Sequence, residues 1–287
     1  MIHRRRSSPL HAARATVGSS WCIALAGVAL TLEHPLLLTA LLAGVLAAAV
    51  AAGVGREVGR ATLWALPFAL LIGAINAVVV REGLTVLLRG ELLLLGAFDV
   101  TLEATIHGLL LGLRAVVVIA CFALHSAAVD PDELLRGFRR LGPRSGLTAA
   151  LATRMVGVLA ADARRMQDAQ RSRGGAAAPR AAVVRAVAVN ALDRAADVAA
   201  TLEVRGYATA GRAVGCVRRP WSRHDVAFAV GALALVAGAV GLHLSGWESF
   251  EAYPRTLAPV GPREMTLAAA LVGLTLLPFA DRHGILR

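Results

Sequence analysis

The sequence contains no lysine: all 30 of its basic residues are arginine. That absence excludes one large class of activity. A phosphate-binding P-loop needs the lysine of G-x-x-x-x-G-K-[ST] to reach the β- and γ-phosphates, so this chain is not itself a Walker-type ATPase. Charge is also scarce. Only 17% of the 287 residues are charged, where a soluble domain carries about a quarter. At the same time 57% are hydrophobic and the mean hydropathy is +0.64. The shortfall of charge and the long apolar runs place the chain among membrane proteins before any motif is read. Cysteine is limited to Cys22, Cys121 and Cys216, whose spacing fits neither a disulfide framework nor a metal site. Two of the three lie in apolar runs and read as small packing residues. The eight histidines are scattered, with no H-x-x-x-H and no C-x-x-C. No catalytic residue, metal or cofactor is expected on this chain.

What is present in excess is positive charge, a formal +11. In a soluble protein that balance would suggest nucleic acid. Here the positive-inside rule accounts for it more simply, and the partner is the lipid bilayer. The N-terminus puts Arg4, Arg5 and Arg6 ahead of an apolar run from Trp21 to Leu32, a pattern shared with cleaved signal peptides. A second apolar run follows at once and no small-x-small site ends the first, so the first run is read as a membrane span.

A spanning helix needs ~20 mostly apolar residues. The candidates are Val17–Leu32, Leu36–Val54, Ala61–Val80, Ile106–Val129, Val226–Leu244 and Met265–Ala280. Glu33, His34 and Pro35 separate the first two into a tight helical hairpin, since proline removes a backbone donor. Leu84–Ala97 is apolar but broken by Arg89, Gly90 and Glu91. It is too short to span and reads as an interfacial or re-entrant piece. The expected fold is thus all-α: a polytopic bundle with four spans in residues 1–129, a cytoplasmic insert over 130–225, and two spans in 226–287. With both termini cytoplasmic, the inside segments hold 25 arginines and the outside segments hold four, Arg81, Arg89, Arg255 and Arg263. Without the long insert the split is still eight to four, and the outside four share their loops with seven acidic residues.

The insert has the patterning of folded helices. Asp130, Pro131, Asp132 and Glu133 make a helix start: a capping aspartate, proline in the first turn, then acids on the positive end of the dipole. That helix ends near Gly142 and Pro143. A second is expected over Ser145–Arg173, with Leu147, Leu151, Met155, Val158, Leu159 and Met166 recurring at helical spacing. Gly174 and Gly175 stop it. A third runs from Pro179 to Arg205, with Val183, Val184, Val187, Leu192, Val198 and Leu202 apolar and Gly206 as terminator.

Two arginine-glycine helix ends stand out, Ser172-Arg173-Gly174 and Val204-Arg205-Gly206, with their arginines 32 residues apart. Glycine supplies the left-handed residue that ends a helix. An arginine just before it complements the carbonyl end of the dipole, which is common and needs no function. The same guanidinium, projected from a helix tip, can also fork onto a partner's carboxylates.

With these ends in order around the spans, the sequence resembles the transmembrane T subunit of energy-coupling factor (ECF) transporters, the EcfT/CbiQ family. The resemblance runs over most of the chain. Its pieces are Ser8-Pro9-Leu10-His11, Val129-Asp130-Pro131-Asp132-Glu133-Leu134-Leu135, Asp168-Ala169-Gln170-Arg171-Ser172-Arg173-Gly174, and Leu202-Glu203-Val204-Arg205-Gly206-Tyr207. The resemblance implies a non-enzymatic subunit of an ATP-driven importer of a vitamin or a cobalt or nickel ion. It implies that Arg173 and Arg205, with Ser172, Gly174, Val204 and Gly206 around them, insert into grooves on two cytoplasmic ABC ATPase subunits. ATP would be bound there, and a separate integral membrane S component would hold the substrate. The family's tips are most often Ala-Arg-Ser or Ala-Arg-Gly. The residues before the arginine here, Ser172 and Val204, depart from that while both arginines remain.

Other polar residues read as scaffold. Arg114, His107 and His125 lie in the fourth span and Asn76 in the third. Intramembrane polar groups default to functional hypotheses, but Arg114 is placed to snorkel or to pair within the bundle. Asp162 with Arg165, Asp168 with Arg164 and Arg171, and Arg194 with Asp193 and Asp197 have the spacing of solvated intrahelical pairs. Two other transporter classes fit less well. A conventional ABC permease would couple through an E-A-A-x-x-x-G loop, which the insert lacks. An ion-coupled secondary transporter would need inverted repeats and midplane carboxylates, and neither is visible.

Overall fold

Proline and glycine punctuation cuts the apolar sequence into helices. The computed structural model describes residues 8–80, 86–92, 96–138, 143–172, 179–206, 220–245 and 261–281. A single helical turn, α1 (Pro9–Ala12), is capped by Ser8, whose Oγ accepts the His11 N–H at 3.4 Å. Helix α2 (Ala15–Thr31) ends at Leu32, and α3 (Pro35–Ala51) begins with proline at its first position. The His34 ring caps α3, its Nδ1 accepting the Leu36 N–H at 3.2 Å. The Glu33-His34-Pro35 break ends α2 and starts α3 as expected, but the two helices share little contact and the tight hairpin does not form: each packs on other helices of the bundle. Two long helices follow, α4 (Gly55–Val79) and α5 (Leu102–Ala128), the second capped by Thr101 Oγ1 on the Ala104 N–H.

Between α4 and α5 lies an antiparallel pair of strands, β1 (Val86–Leu92) and β2 (Gly96–Thr101), with Arg89 in register with Asp99. An interfacial or re-entrant piece was expected there. The break at Arg89, Gly90 and Glu91 rules out a long helix, but five or six residues already make a strand.

The chain divides into two compact units, Met1–Glu133 with Pro220–Arg287, and Leu134–Arg219. In the first, α5 packs on α4, α2 and α3. Helix α9 (Arg223–Leu244) covers α2, and α10 (Pro262–Leu276), extended by the 3₁₀ turn Leu277–Phe279, covers α3. The core is built of Trp21, Leu25, Leu38, Leu41, Val45, Val117, Leu124, Phe228 and Leu235, all fully buried. Trp21, Phe228 and Phe279 meet edge to face, with ring centroids 5.3–5.8 Å apart, the arrangement that the ring quadrupole favours.

The α4–α5 seam is of a different kind. Most of its buried residues are small, Ala65, Ala69, Gly73 and Ala77 on α4 and Ala104, Gly108 and Gly112 on α5, with Val116 of α5 packed against Ala65 and Ala69. A methyl group at Gly112 would lie 2.6 Å from the Ala69 carbonyl oxygen, and one at Gly108 would lie 2.8 Å from that of Gly73. The backbones therefore touch. In lipid, apolar side chains gain little by leaving the tails, and close backbone approach of this kind holds helices together.

Among the described residues three helices are long and apolar enough to cross a membrane: α4, α5 and α9, of 25, 27 and 22 residues. At 1.5 Å per residue α4 is about 37 Å long, more than the ~30 Å hydrocarbon core. Helices α2 and α3 are apolar but 17 residues each, and α10 has 15. The outward faces of α4 (Leu63, Trp64, Phe68, Leu71, Ile75) and α9 (Val230, Leu233, Val240, Leu244) are exposed and apolar. This is a membrane-embedded all-α bundle.

Helix α6 (Pro131–Phe138) leads from the first unit into the second, which holds α7 (Pro143–Arg171) and α8 (Arg180–Val204).

Candidate partner-docking site

The singled-out residues that the structure describes are placed by helix ends. At the start of α6 the Asp130 carboxylate accepts the Asp132 N–H at 3.0 Å. Pro131 opens the helix, and Asp132 and Glu133 fill its first turn. At the end of α7, Ser172 closes the last turn twice, its N–H and its Oγ both donating to the Asp168 carbonyl at 3.1 and 3.0 Å. Arg173 and Gly174 lie outside the described residues.

The second tip is described in full. Helix α8 ends at Val204, and the Arg205 N–H donates to the Thr201 carbonyl at 3.2 Å. Gly206 follows with φ +71°, the left-handed conformation that closes a helix, and its N–H donates to the Glu203 carbonyl at 2.8 Å. A side chain there would be strained. Val204 is 89% exposed and Arg205 is exposed. Among the described residues Arg205 has no carboxylate within ion-pair distance, and Glu203, two residues away on a helix, faces elsewhere. The tip thus presents one rigidly based guanidinium beside an apolar side chain.

Helices α7 and α8 touch without covering their apolar stripes. Of the stripe on α8 only Val183 is buried, while Val184 and Leu192 stay exposed, Leu192 at 71%. One polar link joins the two helices. Asp162 of α7, 13% exposed, binds Arg194 of α8 at 3.4 Å and Arg165 of its own helix at 3.6 Å. The pairs Asp162–Arg165 and Asp168–Arg171 form as spacing predicts, the latter at 3.8 Å. Arg194 does not pair within its own helix. Asp193 is its neighbour and points to another face, and the half-shielded Asp162 is the better-placed carboxylate. Spacing along one helix cannot show a partner on the next. Asp162→Asn is expected to loosen α7 from α8 by on the order of 1 kcal/mol or less, since both cations are solvated. Amide hydrogen exchange along α8 should quicken in that variant and stay unchanged in Asp168→Asn, whose pair is intrahelical and fully solvated.

The intramembrane polar residues are partly accommodated by packing, while Asn76 Oδ1 and Arg114 Nε are buried with no hydrogen-bond partner among the described residues. Arg114 Nη2 donates to the Leu32 carbonyl at 2.9 Å, so a side chain of α5 caps the C-terminal end of α2. His125 Nε2 lies 3.0 Å from Ser19 Oγ, bridging α5 to α2. Asn76 packs against Gly108 in the α4–α5 seam, and His107 is half-buried beside it. Cys22 and Cys121 are buried and, with Ile23, Ala26, Phe122 and His125, line a cavity of about 90 Å³. Among the described residues no three His, Cys, Asp or Glu side chains are placed to hold a metal ion.

The sequence reading missed the contact at the start of α9. Asp225 is completely buried and accepts hydrogen bonds from two backbone N–H groups, Arg14 at 2.7 Å and Ser222 at 2.9 Å. An Asp three residues after a Ser is a capping signal, but the bond to Arg14 reaches across 211 residues and leaves no local trace.

No curated protein matches the chain. Residues 6–214 match the family CbiQ, described as cobalt transport protein. The matched stretch runs from α1 through the second helix tip, and leaves α9 and α10 outside. With nearly three quarters of its length inside that match, the chain belongs to the CbiQ cobalt transport protein family.

Proposed function

We propose that this chain is the transmembrane coupling subunit of an energy-coupling factor importer for a transition-metal ion such as cobalt. Membership of a cobalt transport family supports a role as a transport component. The observation that carries the finer reading is the α8 tip: an exposed Arg205, with no ion-pair partner among the described residues, on a glycine-terminated helix. Six spans hold the chain in the cell membrane with both termini in the cytoplasm, and residues 130–225 form the cytoplasmic coupling insert. Arg205, and Arg173 by the same motif, dock into acidic grooves on two ABC ATPase subunits. Those subunits bind and hydrolyse ATP. Closure of the ATPase pair moves the helix tips, and the apolar faces of α7 and α8 carry that movement to the bundle and to a separate substrate-binding membrane subunit. This chain contributes geometry and no bond-making step.

The test is reconstitution. The chain, the ATPase pair and the small membrane subunit are placed together in proteoliposomes, and uptake of radiolabelled Co²⁺ is followed. Uptake should require ATP and every component. Uptake by this chain alone, driven by a proton or sodium gradient, would overturn the reading in favour of a secondary transporter.

A further inference from the structure

The start of α9 carries a buried polar joint to the start of α2. After the unit that holds α7 and α8, the described chain resumes at Pro220. Within five residues it is tied down. Ser222 and Asp225 form a reciprocal capping box, with Asp225 N–H on Ser222 Oγ at 3.1 Å and Ser222 N–H on Asp225 Oδ2 at 2.9 Å. The other oxygen, Oδ1, accepts the backbone N–H of Arg14 at 2.7 Å. Arg14 Nε approaches Asp225 Oδ2 at 3.4 Å, and its guanidinium carbon lies 5.4 Å from the centre of the Trp221 ring. One buried carboxylate therefore holds the first turn of α9 to the N-terminal cap of α2. A helix that only had to start would be served by the capping box alone. The remaining contacts join two elements that are separated by 211 residues.

We infer that the Arg14–Asp225 joint is a force-bearing anchor: it fixes the return strand of the coupling insert to α2, so that movement of the insert turns the bundle instead of unwinding the start of α9. This rests on the coupling role proposed above. Asp225 and Arg14 are positioning residues in it and touch no substrate. Asp225 carries the joint because a carboxylate has acceptor capacity for both N–H groups and for the guanidinium together. Asparagine keeps the shape but loses the charge and one acceptor oxygen.

The backbone allows the joint to be dissected. Arg14 has φ −63° and ψ 141°, and Ala13 before it has φ −70° and ψ 158°. Both suit an X-Pro pair, so Arg14→Pro removes the N–H bond together with the guanidinium without bending the chain, and its difference from Arg14→Ala isolates the N–H bond. Arg14→Ala removes the guanidinium and keeps that bond. The experiment compares Arg14→Ala, Arg14→Pro and Asp225→Asn in the complete reconstituted importer. It reads assembly yield, thermal midpoint, ATP hydrolysis and Co²⁺ taken up per ATP hydrolysed. Expected is normal assembly and hydrolysis in all three. Uptake per ATP should fall about tenfold or more in Arg14→Pro and Asp225→Asn, within the range of site-to-site coupling, and less in Arg14→Ala. Unchanged uptake per ATP in Arg14→Pro and Asp225→Asn overturns the inference. So does a loss of uptake that only tracks lost assembly or a lowered midpoint, which would make the joint purely structural. Arg205→Ala separates the two proposals: it should abolish assembly, whereas the joint variants keep it. If the joint variants behave as wild type while Arg205→Ala fails to assemble, the coupling role stands and the anchor alone is wrong.

Discussion

Arg205→Ala should cost the chain its hold on an ATPase subunit. The side chain leaves an exposed tip whose backbone is fixed by the Arg205 to Thr201 bond and by the left-handed Gly206. Nothing described in this chain competes for the guanidinium. When a partner's carboxylates close on it, both sides lose water, and the pair is strong only while both are present. Truncating one side leaves buried acid unpaired, at about 2–5 kcal/mol, or about 30- to 4,000-fold in affinity. Arg205→Lys keeps the charge but loses the planar fork and should recover only part of the binding. Gly206→Ala acts differently. It leaves every contact atom of Arg205 in place and strains the cap by about 1 kcal/mol, so it should weaken docking mildly. Co-purification of the ATPases with tagged chain reads all three. Equal yields from Arg205→Ala and wild type would remove Arg205 from the interface. Arg173→Ala is expected to follow Arg205→Ala.

Gly112→Leu should unseat α4 from α5 altogether. Even the first carbon of a side chain would sit 2.6 Å from the Ala69 oxygen, and that oxygen belongs to backbone and cannot turn away. The helices must separate by an ångström or more, which breaks contact along the whole seam from Ala65 to Ala77. Gly112→Ala is the measured step toward this, with overpacking of about 1–3 kcal/mol. Gly59, on the same α4 helix, has open space at its methyl position. Gly59→Ala should therefore stabilise α4 by up to about 1 kcal/mol through helix propensity. The two alanine variants are predicted to move the thermal midpoint of the detergent-solubilised protein in opposite directions. Equal midpoints would mean that the seam is looser than its geometry indicates.

Much of the helical layout was legible in the residues. The Asp130-Pro131-Asp132-Glu133 start fixed the beginning of α6, and Pro35 and Gly206 marked the start of α3 and the end of α8, because each acts through its own backbone. The stripe Leu151, Met155, Val158, Leu159 was readable for the same reason: a helical face is a matter of spacing alone. The strand pair within residues 84–101 was not legible because a short apolar run carries no period long enough to separate a strand from a helical segment. Gly108 and Gly112 spell G-x-x-x-G in an apolar run, but the letters do not say that Ala69 and Gly73 face them.

By itself, then, the sequence determined the class of the protein, most of the described helix ends and the place of Arg205 at the end of α8. These are local consequences of composition, capping and spacing. Tertiary structure alone decided that Asp162 holds Arg194, that Arg114 caps α2, that α4 and α5 meet backbone to backbone, and that Asp225 reaches back to Arg14. Each of these joins residues far apart in the chain, and the partner of a charge or the depth of a glycine is set by what packs against it, which no spacing along one strand of sequence records.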